Sequence, residues 1–349
     1  MKKINLGPGP SFIPENLNES LISSLFDNGE RGFSILHQSH RSKEFEEFLN
    51  NFRDDIRQFL EVPKNYEVLI MQGGATMLFA LLAQNFRFDK RPASYLISGF
   101  WSKLAAKNAS NIRDICKINP IEDEPISFNF SKSKDWAYFH YVMNETVDGV
   151  LINDLFELDC PVICDASSAL FGKKININDF DMIYSSSSKH LAVPGFTISI
   201  LKKDLLAKIK NHIPEIMSFN HWQKSMSIPC TPPTPSIYLC SKILNFLMKN
   251  GNLDFYSEQN TSKALLMYSF IDSSNYFLNE VPSKNRSETN FIFNAMNPSI
   301  EKSFNNYLNS KYTNFVGHES KGGFRINAYN LFTIDELKSL LDFASGFKA

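Results

Sequence analysis

Glycine is scarce in this 349-residue chain. Its fifteen glycines nowhere form the G-x-G-x-x-G spacing or the Walker A run, which argues against a dinucleotide-dependent dehydrogenase or a P-loop enzyme. Cysteine is sparse too. Cys116, Cys160, Cys164, Cys230 and Cys240 are odd in number and include no C-x-x-C pair, so no metal site is expected. Cys160 and Cys164 flank a strand-like PVI and read as small core residues in a reducing compartment. No apolar window reaches the ~18 residues of a membrane-spanning helix. The opening MKKINLGPGPSF lacks the apolar stretch of a signal peptide, so a cytoplasmic location and no membrane partner are expected. A formal net charge of -1 leaves no footprint for nucleic acid.

What the chain does have is ordinary for a soluble globular protein: 43% hydrophobic and 21% charged residues, with 31 phenylalanines to fill a core. Its length suits two domains. After the proline- and glycine-punctuated NLGPGPSFIP, helical periodicity runs over 15–27 and again over 43–60, where Phe45, Phe48, Leu49, Phe52, Ile56 and Phe59 fall at helical spacing. Next comes a strand (66–71), Gln72-Gly73-Gly74, and a helix over 75–85. Strand, tight turn and helix present backbone N–H groups and a positive helix end to an anion, although such a turn on its own is usually only a turn.

Short strands then recur, each with a polar or aromatic end. The strand over 94–98 is followed by Gly99-Phe100-Trp101, with a helix from Ser102. The strand over 136–141 runs to Asn144-Glu145-Thr146, that over 161–164 to Asp165, and that over 182–184 to four serines and Lys189. Residues 119–134 read as a polar link. The alternation predicts an α/β fold with a mostly parallel sheet covered by helices, and in such sheets ligands sit beyond the carboxyl ends of the strands. After residue 201 a helix covers 203–211, 221–235 is proline-rich and structureless, and helices follow over 235–249 and 252–280. A smaller C-terminal α/β domain closes the chain, with strands over 290–294, 313–316 and 324–328. The expected division is an N-terminal segment 1–14 near the small domain, a large domain 15–255, and a small domain 256–349.

Phe180 to Ile200, FDMIYSSSSKHLAVPGFTISI, sets Lys189 between two apolar runs. Burial depresses a lysine's pKa and frees the neutral amine that condenses with a carbonyl. Asp165 lies 24 positions earlier at another strand end. A lysine and an aspartate so placed fit pyridoxal phosphate: the lysine binds the aldehyde carbon and shuttles a proton, and the aspartate keeps the pyridine nitrogen protonated.

The segments NLGPGPSFIP, SHRSKEFEEF, YEVLIMQGGATMLFA, SGFW, NETVDGV, DASS, FDMIYSSSSKH, TPPTPSIYL and GHESKGGFRINAYN, in this order, resemble the phosphoserine aminotransferase family of class V, fold-type I pyridoxal-phosphate enzymes. The resemblance runs nearly end to end. It implies a seven-stranded-type sheet in the large domain and a homodimer with active sites at the interface. It also implies transfer of an amino group from glutamate to 3-phosphohydroxypyruvate, in serine biosynthesis, so that the partners are small amino acids and 2-oxo acids. Matched position by position, Lys189 is the Schiff-base lysine and Asp165 the pyridinium partner. Trp101 stacks on the ring, Gly74, Ala75 and Thr76 offer backbone donors to the cofactor phosphate, Thr146 and Ser188 touch the cofactor, and Cys230 and Thr231 reach it from the other subunit. His40, Arg41, His318 and Arg325 grip the substrate.

The chain departs from the family at four of these places. Ser188 and Cys230 stand where Gln and Asn are common, Thr76 where some members carry Arg, and Glu319 where Arg follows the Gly-His pair. Like unit charges 4 Å apart at an effective dielectric of about 20 repel by about 4 kcal/mol, roughly a thousandfold in affinity. Glu319 facing the site would therefore reject a phosphate, unless it points away and Lys321 or Lys43 supplies the charge. An aminotransferase for an unphosphorylated 2-oxo acid, or a non-catalytic protein that binds the cofactor, stays open on sequence. A cysteine desulfurase is disfavoured, since no cysteine sits in an evident mobile loop.

Overall fold

The computed structural model describes residues 3–27, 34–119, 130, 133–209 and 213–348, so most of the expected link over 119–134 lies outside the described residues. The first part of the chain forms β1 (Ile4–Asn5), α1 (Glu15–Phe26), α2 (Lys43–Phe59), β2 (Tyr66–Gln72), α3 (Ala75–Asn85), β3 (Ala93–Leu96), α4 (Phe100–Ser110) and β4 (Ile115–Ile118). The middle supplies β5 (Phe139–Val142), the short hairpin β6 (Asn144–Glu145) and β7 (Val150–Leu151), β8 (Val162–Asp165), β9 (Met182–Ser186) and β10 (Phe196–Lys202). Then come α5 (Lys203–Lys208), α6 (Phe219–Lys224), α7 (Thr234–Asn250) and α8 (Leu253–Asp272). The chain closes with β11 (Phe277–Leu278), β12 (Asn290–Ala295), α9 (Pro298–Leu308), β13 (Tyr312–Thr313), β14 (Phe324–Asn327) and α10 (Ile334–Ser345).

Among the described residues, seven strands form the central sheet in the order β2-β10-β9-β8-β5-β3-β4. The β9–β8–β5–β3–β4 run is parallel, and β10 is antiparallel to both β9 and β2. The carboxyl ends of β2, β3, β5, β8 and β9 therefore share one edge. Strand periodicity sends alternate residues to opposite faces. On β5, Phe139 and Tyr141 enter one core with Phe45, Phe52 and Ile56 of α2 and Ile243 and Leu247 of α7. Tyr138 just before β5, Ile163 and Leu201 enter the other, with Leu78 and Leu82 of α3 and Ala105 and Ala109 of α4. Both faces are covered, so the interior strands read as apolar runs.

A second, three-stranded sheet in the order β11-β12-β14 packs with α8, α9 and α10 around Phe277, Phe293, Phe304 and Phe324. The N-terminal segment joins this unit: β1 pairs in parallel with β13, and Leu6 is buried in its core. Helix α8 bridges the units, with Leu253 and Tyr256 in the large core and Met267 and Ile271 in the small one.

Three expectations about elements need correcting. Helix α8 stops at Asp272, because Ser273-Ser274-Asn275 favours local side-chain bonds and the aromatic Tyr276-Phe277 passes into β11, which pairs with β12. Part of 221–235 is helical: α6 forms because Trp222 is buried and Asn85 Oδ1 accepts the Phe219 N–H at 3.0 Å. The strand over 313–316 is only Tyr312–Thr313, ended by Asn314 at φ 59°.

Lys263 ties α8 to the segment that follows β14. Its ammonium is buried and donates to the carbonyls of Ala328 (2.8 Å), Tyr329 (2.9 Å) and Phe332 (2.8 Å). Burial lowers its pKa from 10.5 to about 7, against a smaller upward pull from Glu336. Lys263→Met should lose about 2 kcal/mol in urea unfolding, since three carbonyls lose their donor. Between about pH 7 and 10.5 the unfolded chain holds a proton that folded Lys263 has released, so this group makes stability rise with pH. That slope should be missing in the variant.

Candidate active site

The shared edge of strand ends opens into a cavity of about 350 Å³. Lys189 reaches it from the turn between β9 and β10, and Asp165 from the last position of β8. Burial lowers the lysine's pKa to about 8, helped by the Arg325 charge, while Asp165 pulls the other way. Burial likewise raises Asp165 to about 6, although Ser167 N–H donates to its Oδ1 at 2.9 Å. One environment thus pushes base and acid toward neutrality from opposite sides.

Gly74, Ala75 and Thr76 line the cavity where α3 begins. The first amides of a helix lack intrahelical acceptors, and this helix has no side-chain cap. A Cβ added to Gly74 would meet nothing within 4 Å, so the space before these amides is open. An anion would fill it.

Trp101 is the second residue of α4, which starts two residues before the expected Ser102. Its indole N–H donates to Thr146 Oγ1 at 2.8 Å, and both side chains line the cavity. Two carboxylates fix this helix end. Glu145 accepts from the amides of Trp101 and Ser102, each at 2.8 Å, and Asp148 accepts from Phe100 N–H at 2.7 Å. They approach so closely that a Cβ on Gly99 would lie 2.4 Å from Asp148 Oδ2, leaving room for glycine alone. Burial raises the Glu145 pKa to about 7, against the downward pull of these hydrogen bonds.

Arg325 and His318 enter from the small unit. Arg325 Nη1 donates weakly to the Thr146 carbonyl at 3.4 Å, and its buried Nε has no partner among the described residues. A guanidinium this short of acceptors suits an incoming carboxylate. The His318 ring packs 4.7 Å from that of Phe100. Ser188 also lines the cavity, its hydroxyl 3.1 Å from that of Ser186.

Four expected residues stay outside. His40 and Arg41 line a separate depression of about 460 Å³ with His221 and Lys224, and neither Cys230 nor Thr231 lines the Lys189 cavity. Cys230 Sγ donates instead to Gln72 Oε1 at 3.4 Å. Within one chain these four do not meet Lys189. Glu319 is exposed and does not line the cavity, and Lys43 is exposed at the start of α2. Lys321 pairs with Asp148 at 2.9 Å. The sequence reading missed Glu145 and Asp148, whose N-E-T-x-D spacing at a strand end was the available signal, and Pro8 and Gly9, which also line the cavity.

The residues present fit pyridoxal phosphate: an open anion cradle, a lysine with a depressed pKa, a buried carboxylate and an indole all face one space. Among the described residues no cluster of His, Cys, Asp or Glu is arranged to hold a metal ion, and no helix is long and apolar enough to cross a membrane.

Residues 5–313 match the aminotransferase class-V family. The chain is 32% identical to the phosphoserine aminotransferase of Acinetobacter baylyi over 99% of each chain. Among solved structures, the phosphoserine aminotransferase of Bacillus circulans subsp. alkalophilus superposes with a TM-score of 0.92 at 28% identity, covering 99% of this chain and 98% of that one. The PLP-bound phosphoserine aminotransferase of Trichomonas vaginalis gives 0.91 at 26%, covering 99% and 100%. The chain belongs to the class-V aminotransferases, with the fold-type I architecture, and within them to the phosphoserine aminotransferase family.

The carboxylate clamp on α4 is open to test. Glu145→Ala should lose about 2 kcal/mol in urea unfolding, because two amides at a buried helix end lose their acceptor. Asp148→Ala, which frees the Phe100 amide and an exposed Lys321, should lose less.

Proposed function

We propose that this chain is a pyridoxal-phosphate-dependent phosphoserine transaminase. It converts 3-phosphohydroxypyruvate and glutamate to O-phosphoserine and 2-oxoglutarate in a ping-pong cycle. The observation that carries this reading is the convergence of Lys189 and Asp165 on one cavity with the open N-terminus of α3, in a chain matched end to end by phosphoserine aminotransferases. When bound, the cofactor supplies an electron sink for the charge left at the substrate's Cα after proton loss.

This chain's own residues do the rest. Lys189 would carry the cofactor and, once its amine is free, take the proton from Cα. A pKa of about 8 keeps a useful fraction of that amine neutral at physiological pH. Asp165 would hold a proton on the pyridine nitrogen. A cationic ring partner favours the carboxylate and would draw its pKa back down from about 6. The amides of Ala75 and Thr76 would bind the cofactor phosphate, Trp101 would lie against the ring, and Thr146 and Ser188 would add polar contacts. Arg325 would pair with the substrate carboxylate, and His318 would close over it. We place His40, Arg41, Cys230 and Thr231 at the active site of a second copy, in a homodimer. A cytoplasmic location fits the reading.

The rival reading, an unphosphorylated substrate, draws on Glu319, on the Lys321–Asp148 pair, and on Arg325 being the one arginine of this chain that lines the cavity among the described residues. Against it, Glu319 is exposed and outside the cavity lining.

Half-reactions decide between the two. Mixing the loaded enzyme with phosphoserine should abolish its near-visible cofactor absorbance at concentrations where serine and alanine leave it intact, and Lys189→Ala should lack the band altogether. Faster conversion with serine or alanine would overturn the phosphorylated substrate. Glu319→Arg should change phosphoserine affinity by less than about threefold, because an exposed charge acts through water. A gain approaching the thousandfold scale would mean that Glu319 faces the substrate.

A further inference from the structure

The segment Gly7 to Pro10 crosses the Lys189 cavity as a strap, with Pro8 and Gly9 in its wall. At φ +145°, Gly9 lies so close that an added Cβ would stand 2.9 Å from the Ser188 carbonyl and 3.3 Å from Lys189 Cδ. On one side the strap is anchored to the small unit. Leu6 N–H donates to Thr313 O at 2.9 Å, and Leu6 O accepts from Asn327 Nδ2 at 2.6 Å. On the other side the Pro8 carbonyl receives two donors, Lys189 Nζ at 2.7 Å and the Tyr329 hydroxyl at 3.0 Å. A buried chain of amides stands behind Tyr329. Asn290 Nδ2 donates to the tyrosine oxygen at 2.9 Å and to Asn327 Oδ1 at 2.6 Å, and Asn144 Nδ2 donates to Asn290 Oδ1 at 2.7 Å.

We propose that Tyr329 is a positioning residue: its hydroxyl keeps the strap seated over the cavity when Lys189 gives up the Pro8 carbonyl to take the cofactor. The inference rests on the cofactor reading above. Lys189 has one nitrogen, and engaging it with the cofactor ends its donation to Pro8. With Tyr329 in place, the carbonyl goes from two donors to one on loading. Without Tyr329 it goes from one to none. An unmade hydrogen bond costs more than a redundant one, so the tyrosine matters more in the loaded enzyme. Strap seating and loading are then coupled, and the coupling is reciprocal. A tyrosine that merely filled space would affect both forms equally.

The test compares wild type with Tyr329→Phe, each with and without pyridoxal phosphate. It measures cofactor affinity and hydrogen exchange at the Leu6 and Gly7 amides, which donate to Thr313 O and Asn5 Oδ1. The variant should bind the cofactor about tenfold more weakly, and its two amides should exchange severalfold faster on loading. Wild-type exchange should change less than about twofold on loading. That wild-type measurement stands alone if the variant does not fold: amides that become unprotected on loading would overturn the proposal. A variant matching wild type in affinity, or losing protection equally in both forms, would overturn it too. A wild type that binds no pyridoxal phosphate overturns this inference together with the proposed function. A wild type that binds it, with an unchanged variant, overturns this inference alone.

Discussion

The register of β10 between β9 and β2 is the constraint on which the site depends. Thr197 lies opposite Ser186 on one side and Met71 on the other. That pairing fixes where β9 ends, and so where the turn bearing Lys189 emerges. It also brings Gly73 N–H onto Gly195 O at 3.0 Å, which sets the turn before α3 beside the lysine's turn. A slip of one residue would turn alternate side chains of β10 to the opposite core. Phe196, Ile198 and Ile200 face the larger core, so such a slip would put Thr197 and Ser199 there instead. Core burial therefore secures the relation between the anion cradle and the amine.

A second constraint acts from the far side of the cavity. Arg325 and His318 belong to the small unit, so their distance from Lys189 depends on how that unit sits on the large one. Two connections set the relation: the amide chain from Asn144 through Asn290 to Asn327, and the strap whose Pro8 carbonyl meets Lys189 and Tyr329. Both are polar and mostly buried, which makes them directional. Apolar packing alone would tolerate sliding, whereas satisfied polar networks specify one arrangement.

Much of this was legible in the sequence, and the pattern of what was not has physical causes. Lys189, Asp165, Trp101 and the Gly-Gly turn could be found because strand-end chemistry is local: a short apolar run announces the strand, and the next residue is delivered to the edge. Glu145 and Asp148 escaped because their partners are backbone amides 44 and 48 positions away. Nothing in a polar loop names such acceptors. Tyr329 and the Pro8 carbonyl, 321 positions apart, escaped for the same reason. Secondary structure failed where tertiary context overrode propensity, as in α6, which owes its form to Asn85 and a buried Trp222. Glu319 shows the reverse case, since residue type alone suggested repulsion and only exposure could say whether it was felt.

The electrostatics of the cavity carry a further consequence. Lys189 and Asp165 are both shifted mainly by burial, the one down and the other up, and their mutual attraction offsets only part of it. Burying two such charges costs more than an attraction across this distance returns. The site also has unmet groups: among the described residues Arg325 Nε has no partner, and the space before α3 is open. A ligand bearing a phosphate, an aromatic ring with a basic nitrogen and a carbonyl carbon would answer each deficit in turn. The anion would meet the helix end, the ring nitrogen the carboxylate, and the carbonyl the amine. The folded chain holds these groups in place against their own preference for water, and ligand binding returns part of that cost as affinity. This is preorganisation: the two residues that would do the chemistry are both pushed toward neutrality by the fold itself.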